Sequence, residues 1–166
     1  MIREGKLSDA DQISKIKVES WKETYKNLMP DNVLEDITFE KEKEKFINKF
    51  GKRRIVVYEE NDEILGYSFF GKRQNLIQEN MADYTSEIYA LYIKNDYRRK
   101  GVGTKIIQHI CNTLKEENND KVLLWCLKGN QGAIDFYKKN GFEYLKDKAQ
   151  ELNGINVEEL SFGKKL

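Results

Sequence analysis

A run of basic residues and glycines at positions 98–104, with the sequence RRKGVGT, has the composition of an anion-binding turn. It follows the apolar segment EIYALYI (87–93) and precedes a segment of helical spacing that we predict from Thr104 to Glu117. Glycines let the backbone turn tightly and approach a ligand closely. The unused N–H groups of a first helical turn, together with the helix dipole, favour negative charge. The sequence therefore predicts a phosphate or pyrophosphate site at this turn.

Two common phosphate-binding motifs do not fit this turn. The sequence contains no G-x-x-x-x-G-K-[ST] of the P-loop type. A dinucleotide fingerprint requires G-x-G-x-x-G, but after Gly101 and Gly103 the third glycine position holds Ile106. What remains is R-x-x-G-x-G, which a basic surface turn before a helix would also satisfy.

A second pattern lies at residues 130–142, NQGAIDFYKKNGF, directly after an apolar strand that we predict over Val122 to Leu127. In this order, the two patterns resemble the two signatures of the GCN5-related N-acetyltransferases, the GNAT superfamily. The first resembles the coenzyme A signature, and the second resembles N-x-x-A-x-x-F-Y-x-x-x-G-F. The resemblance extends, more weakly, over the whole chain.

The resemblance implies a fold and a co-substrate. The fold is of the mixed α/β (α+β) class, with a mostly antiparallel central sheet flanked by helices and splayed at the cofactor site. The co-substrate is acetyl-CoA, without a metal. The backbone of the central strand would bond the pantetheine arm, the turn would hold the pyrophosphate, and the second signature would meet the pantetheine region. The cofactor residues implied in this way are Leu91, Tyr92, Ile93, Arg98, Arg99, Lys100, Gly101, Val102, Gly103, Thr104, Asn130, Ala133 and Tyr137.

Acetyl transfer to an amine requires a neutral amine, donors for the developing oxyanion and an acceptable thiolate leaving group. Tyr137 matches the family tyrosine that gives a proton to sulfur, although a tyrosine on an amphipathic helix also suits a core. Glu87, eleven residues before Arg98, has the spacing of the base in histone-acetylating members. A solvated carboxylate at a strand end is the alternative, and Asp83 and Glu79 are substitutes nearby in sequence.

Trp21 and Tyr25 are four residues apart on a predicted helix, so they share one face. The early helices form the acceptor pocket in the family, which makes these two residues candidates for binding the amine. Aromatic residues at this spacing also suit a core. His109, the single histidine, lacks a serine or cysteine partner with motif support, so we predict no catalytic triad.

Composition sets the broad class. The 166 residues carry 29 basic and 28 acidic side chains, a formal net charge of +1 that does not favour nucleic-acid binding. No apolar run reaches a transmembrane length, and residues 1–5 show no signal segment. Cys111 and Cys126 have no metal or redox spacing, so we expect reduced thiols in a cytoplasmic protein. The resemblance allows a homodimer.

The order of elements predicts one domain over residues 1–166. Apolar spacing and turn residues place the elements. We predict strands at 2–4, 54–59, 64–71, 84–93, 122–127, 142–147 and 156–162, and helices at 8–25, from 30–31, and at 39–50, 104–117 and 131–140.

The sequence thus predicts an acetyl-CoA-dependent N-acetyltransferase that acts on a primary amine by direct transfer in a ternary complex. The acceptor would be a small molecule or a peptide. A non-catalytic acyl-CoA-binding sensor on the same fold, and transfer of another acyl group such as succinyl, both stay open.

Overall fold

The computed structural model describes residues 1–74, 81–152 and 154–166. In these ranges seven strands form one mostly antiparallel sheet in the order β1-β2-β3-β4-β5-β7-β6, and five α-helices accompany it. This is the mixed α/β architecture that the sequence predicts. The strands are β1 (Ile2–Glu4), β2 (Arg54–Glu60), β3 (Glu63–Lys72), β4 (Ser86–Ile93), β5 (Lys121–Leu127), β6 (Glu143–Leu152) and β7 (Ile155–Lys165). The helices are α1 (Ala10–Tyr25), α2 (Asp31–Glu35), α3 (Phe39–Lys49), α4 (Val102–Glu116) and α5 (Gln131–Lys139).

The chain divides into two compact units, which are described separately. The first comprises Met1–Phe69 and Ala90–Ile107, and the second comprises Phe70–Tyr89 and Gln108–Leu166. Strands β3 and β4 and helix α4 each contribute residues to both units.

The first unit is built on a core shared by α1, α3 and the early strands. Residues Ala10, Ile13 and Ile16 recur at helical spacing along the buried face of α1. They pack with side chains of α3, β2 and β3, and the cluster as a whole comprises Ala10, Ile13, Ile16, Phe46, Ile55, Val57, Ile64 and Tyr67. Asn61 and Asp62 join β2 to β3 with φ angles of 51° and 61°. These left-handed conformations suit the twist of a two-residue hairpin turn.

An ion-pair network closes the amino-terminal edge of this unit. The guanidinium of Arg3 bonds the Asp9 carboxylate at 2.8 Å and the Glu59 carboxylate at 2.8 Å. The Asp9 carboxylate also accepts from the main-chain N–H of Lys6 at 2.7 Å. The Asp9 side chain thus bonds Arg3 and Lys6 and makes no cap bond to the first turn of α1.

The second unit is built on β5 and its neighbours. Strand β5 pairs in parallel with the start of β4, from Ser86–Val122 to Ile88–Leu124. On its other edge it pairs antiparallel with β7 along its whole length. The hairpin of β6 and β7 is longer than predicted, and its register shifts between Tyr144 and Lys146.

None of the helices in the described ranges combines the length and the apolar composition that a membrane crossing requires.

Candidate functional site

The turn between β4 and α4 has the backbone geometry of an anion site. Arg99 and Gly101 lie in the left-handed region, with φ angles of 60° and 84°. A Cβ at Gly101 would meet no atom within 4 Å, so space is open beside this glycine. The first helical hydrogen bond runs from the Lys105 N–H to the Gly101 carbonyl at 3.0 Å. The N–H groups of residues 102–104 therefore precede any intrahelical acceptor.

Helix α4 begins at Val102, two residues before the predicted start at Thr104. Glycine weakens a helix interior, so the sequence pattern favours a start after Gly103. In the structure Gly103 lies in the first turn of α4 and is buried, so a larger residue would have to fit its side chain into a buried position. The early start brings the helix N-terminus, with its partial positive charge, directly to the basic turn.

Two of the three basic side chains at positions 98–100 contact side chains of the protein. Arg98 Nη2 donates to Thr24 Oγ1 of α1 at 3.1 Å. The ammonium of Lys100 lies over the Tyr97 ring, 5.1 Å from its centroid. Arg99 is exposed. The charges at positions 98 and 100 are therefore held near Thr24 and Tyr97 respectively.

Burial lowers the pKa of Arg98, and the nearby charges of Glu23 and Tyr25 oppose that shift. Thr24 is the second-last residue of α1, so the guanidinium lies at the helix C-terminus. The negative end of the helix dipole favours a cation at this position.

The end of β4 meets the aromatic face of α1. The indole N–H of Trp21 donates to the Tyr92 hydroxyl at 2.9 Å, and the rings of Trp21 and Tyr25 make an edge contact at 4.8 Å. The Ser20 hydroxyl donates to the Ile93 carbonyl at 3.3 Å. Trp21 is buried, whereas Tyr25 and Tyr92 are half-buried. The two predicted acceptor residues therefore lie together with one predicted cofactor residue.

Two tyrosine rings lie against each other beneath this face. The rings of Tyr67 and Tyr92 are 5.4 Å apart. Burial raises the pKa of the Tyr92 hydroxyl, and burial raises that of Tyr67 well above its usual value. Both hydroxyls therefore stay protonated across the neutral range.

Residues 91–93 lie outside the register that pairs Ser86–Ile88 with β5.

In the second unit, the signature from Asn130 to Phe142 forms α5 with both of its ends. The Asn130 side chain accepts from the Ala133 N–H at 3.2 Å and so caps the helix. The carboxyl end is a Schellman arrangement, because the Gly141 N–H donates to Lys138 and the Phe142 N–H donates to Tyr137. Much of the signature therefore has a structural function in starting and ending α5.

Tyr137 is 8% exposed and lies in an aromatic cluster of the second unit. Its ring centroid is 5.4 Å from that of Phe136, 6.0 Å from that of Phe142 and 6.4 Å from that of Phe162. The packing fixes the ring, which is what both a core residue and a positioned acid require.

Glu87 is the second residue of β4 and is half-buried, opposite Leu123 in the parallel register. Of the two substitutes for the base, Asp83 is exposed and pairs with Lys121 at 3.0 Å. The other, Glu79, lies outside the described residues. His109 is half-buried on α4.

Both cysteines are buried and unpaired in disulfides. Burial raises the pKa of the Cys126 thiol to about 12, with the Glu159 charge adding to the effect. Burial also raises the pKa of Cys111, against a smaller opposing effect of Lys164. Neither thiol is prepared to act as a nucleophile. Within the described ranges, no group of three or more His, Cys, Asp or Glu is arranged to hold a metal ion.

The predicted residues fall into two sets. The first unit holds the loop, residues 91–93 and the pair Trp21 and Tyr25; the second holds Asn130, Ala133, Tyr137 and Glu87. Sequence reasoning missed Thr24 as the partner of Arg98. Its only signal is the spacing of three residues from Trp21, which places both on one helix face.

Residues 12–142 match the Acetyltransferase (GNAT) family. The chain is 25% identical to the uncharacterized N-acetyltransferase YuaI of Bacillus subtilis (strain 168), over 98% of this chain and 91% of that protein. It is 27% identical to a spermidine N(1)-acetyltransferase of Thermoplasma acidophilum, over 86% of this chain and 87% of that one.

Among solved structures, the fold is similar to that of the PaiA N-acetyltransferase from Thermoplasma acidophilum in complex with coenzyme A. The TM-score is 0.76, with 21% identity, and the alignment covers 100% of this chain and 98% of that one. At this identity the likeness shows the fold.

Proposed function

Because this chain belongs to the GNAT acetyltransferase family, we propose that it transfers the acetyl group of acetyl-CoA to a primary amine by direct transfer in a ternary complex. Residues 1–166 act as one acyltransferase domain in this proposal. The observation that carries it is the turn at residues 98–101, where left-handed residues and an open glycine lead directly into the N-terminus of α4.

The residues of the turn fit a pyrophosphate. Three N–H groups precede the first helical acceptor, the helix dipole adds partial positive charge, and no side chain at Gly101 fills the space. Arg98, Arg99 and Lys100 supply full charges. Main-chain groups of Leu91, Tyr92 and Ile93 would bond the pantetheine arm as an added strand does. Asn130 would contribute its side-chain N–H groups, which the helix cap does not use.

Acetyl-CoA supplies a thioester whose thiolate is the leaving group. In this proposal the Tyr137 hydroxyl gives its proton to sulfur, and the surrounding aromatic rings hold the hydroxyl in one direction. The Glu87 carboxylate takes the proton from the amine, directly or through water. A main-chain N–H of residues 91–93 donates to the developing oxyanion. The raised pKa values of Cys111 and Cys126 support direct transfer over a cysteine-bound acyl group.

The acceptor pocket in this proposal is lined by Trp21 and Tyr25. Both aromatic side chains lie on one helix face, and Tyr92 adds a hydroxyl beside them. Aromatic faces attract cations, which suits an amine that arrives protonated. The Thermoplasma relative named for spermidine acetylation makes a polyamine the first acceptor to test.

A panel of amines with acetyl-CoA, followed by release of free thiol, tests the proposal. The panel contains spermidine, free amino acids, and peptides with a free N-terminus or lysine. We expect thiol release to depend on the amine, with a matching mass increase of one acetyl group on the product. Succinyl-CoA in a parallel series distinguishes the acyl group.

Two results would contradict the proposal. Coenzyme A binding in calorimetry with no turnover on any amine would favour the sensor function. Turnover with succinyl-CoA and none with acetyl-CoA would replace the acyl group while retaining the amine chemistry.

A further inference from the structure

We propose that Thr24 is a positioning residue that couples coenzyme binding to helix α1 through Arg98. This inference rests on the proposed function, in which Arg98 belongs to the pyrophosphate turn and Trp21 to the acceptor pocket. It adds a connection between these two parts of the first unit.

Among the described residues, Ser20, Trp21 and Thr24 each make a side-chain hydrogen bond that fastens the carboxyl half of α1. Ser20 bonds the Ile93 carbonyl, and Trp21 bonds the Tyr92 hydroxyl, so both attach the helix to the end of β4. The third, from Arg98 to Thr24, attaches it to the turn that follows β4. The first two bonds involve the strand itself, whereas the third involves the segment where a phosphate would bind. When coenzyme A arrives, its pantetheine arm would lie along residues 91–93, whereas its phosphates would meet the third bond at Arg98.

Within the described ranges, Arg98 has fewer hydrogen-bond partners than its guanidinium can accommodate. A guanidinium has five N–H groups in a planar fork that suits paired anionic oxygens. In the described part of the chain, one of these groups bonds the neutral Thr24 hydroxyl. The helix C-terminus and the charge of Glu23 favour the cation without filling its fork. The remaining donors match a phosphate, so Arg98 can bond phosphate and Thr24 at the same time.

Such a bridge would transmit coenzyme binding to the acceptor face. Trp21 lies one helical turn before Thr24, so a change in the position of Thr24 reaches the indole through a rigid helix segment. Coenzyme binding would thus order the acceptor face before the amine arrives. If this ordering raises the affinity for the amine by some factor, amine binding raises the affinity for coenzyme A by the same factor, because the linkage is reciprocal.

Tryptophan fluorescence can test this coupling without knowledge of the acceptor. The chain contains two tryptophans, so Trp125→Phe leaves Trp21 as the single emitter. The Trp125→Phe protein is the parent, and Thr24→Val, Thr24→Ser and Thr113→Val are each added to it. The parent and the three double variants are titrated with coenzyme A, and calorimetry measures binding in parallel. Valine retains the shape of threonine without the hydroxyl, serine retains the hydroxyl, and Thr113 on α4 provides the matched control.

We expect the Trp21 emission to change with coenzyme A and to saturate at the calorimetric Kd. Thr24→Val should bind coenzyme A roughly threefold to tenfold more weakly, the usual effect of one hydrogen bond. It should also lose most of the Trp21 response, whereas Thr24→Ser and Thr113→Val should retain it. Arg98→Lys, which keeps the charge without the fork, should lose the response as Thr24→Val does.

An unchanged Trp21 response in folded Thr24→Val and Arg98→Lys would overturn the coupling, as would coenzyme A binding without any response in the parent. Both results leave the proposed function intact. Absence of coenzyme A binding by the parent would instead overturn the proposed function.

Discussion

The main-chain N–H of Phe142 donates to the carbonyl of Tyr137 at 3.1 Å, and the rings of these two residues lie 6.0 Å apart. Gly141, with a φ of 82°, provides the left-handed residue that this helix end requires. The backbone and ring of Tyr137 are therefore fixed by contacts that do not involve its hydroxyl. This separates a structural role of the signature from a chemical one.

Tyr137→Phe should retain the helix end and the ring contacts while deleting the proton donor. We expect kcat to fall by roughly tenfold to a thousandfold, on the scale of a general acid contribution. The coenzyme A affinity and the Tm should change little. Tyr144→Phe, at an exposed position, is the matched control and should retain activity. Full activity in Tyr137→Phe would assign this tyrosine to packing.

Gly103→Asp should weaken coenzyme A binding strongly, because it places bulk and negative charge in the first turn of α4. The measurement is calorimetry with coenzyme A. Gly132→Asp makes the same change at the second residue of α5, where an added Cβ would make an ordinary contact with Asn130 Oδ1 at 3.9 Å, and it controls for the effect on helix stability. Unchanged affinity in folded Gly103→Asp would remove the pyrophosphate assignment.

Glu87→Gln should remove a base with little change of shape. If Glu87 takes the amine proton, the variant loses rate most at neutral pH and recovers partly at high pH, where more amine is already neutral. The pH profile of kcat/KM with the best amine of the panel measures this. A uniform loss at every pH would indicate positioning, and an unchanged profile would transfer the role to water or to another acid such as Asp83.

Trp21→Phe keeps an aromatic ring but removes the N–H that donates to Tyr92. Because this bond positions the acceptor face, the variant should raise the KM for the amine. We expect an increase of roughly threefold to tenfold, the usual effect of one hydrogen bond. The affinity for coenzyme A, measured in the absence of amine, should stay close to that of the parent. Trp125→Phe is the control, and an equal KM effect there would contradict an acceptor role for Trp21.

Asp9→Asn should destabilise the first unit in a pH-dependent way. Burial raises the pKa of Asp9, but the hydrogen bonds from Arg3 and Lys6 outweigh it and lower the pKa below its usual value. A lowered folded pKa gives stability that is present above the usual range near pH 4 and is lost as the pH falls through the folded value.

We expect Asp9→Asn to lower the free energy of unfolding by about 1–3 kcal/mol near pH 7. The difference from the parent should shrink below about pH 4, where the parent also loses the carboxylate charge. Urea unfolding at several pH values measures this. A difference that stays constant down to pH 2 would contradict the linkage.

Local patterns sufficed for most of the fold. The periodicity of α1, the turn at Asn61-Asp62 and the apolar run of β5 each predicted an element within a few residues of its observed bounds. These elements follow from side-chain spacing and turn conformation, which the sequence displays directly. The start of α4 was misplaced because the contribution of Gly103 depends on its surroundings.

The contacts of the candidate site were less accessible. Arg98 reaches Thr24 across 74 positions of sequence, and Trp21 reaches Tyr92 across 71. Such pairs depend on how α1 packs on β4, which no local pattern specifies. The pattern of residues 130–142 predicted a helix at 131–140, and the structure adds that the Asn130 side chain caps α5 and that Gly141 supplies the left-handed residue at its end.

The burial of Cys111 and Cys126 has a practical result for chemical labelling. Because the pKa values of both thiols are raised, the folded protein presents little thiolate at neutral pH. A disulfide reagent added during the proposed reaction would therefore react mainly with the free thiol of released coenzyme A. Any slow later modification of the two cysteines would then measure how often the second unit opens. One reagent can thus record both the proposed catalysis and the conformational opening.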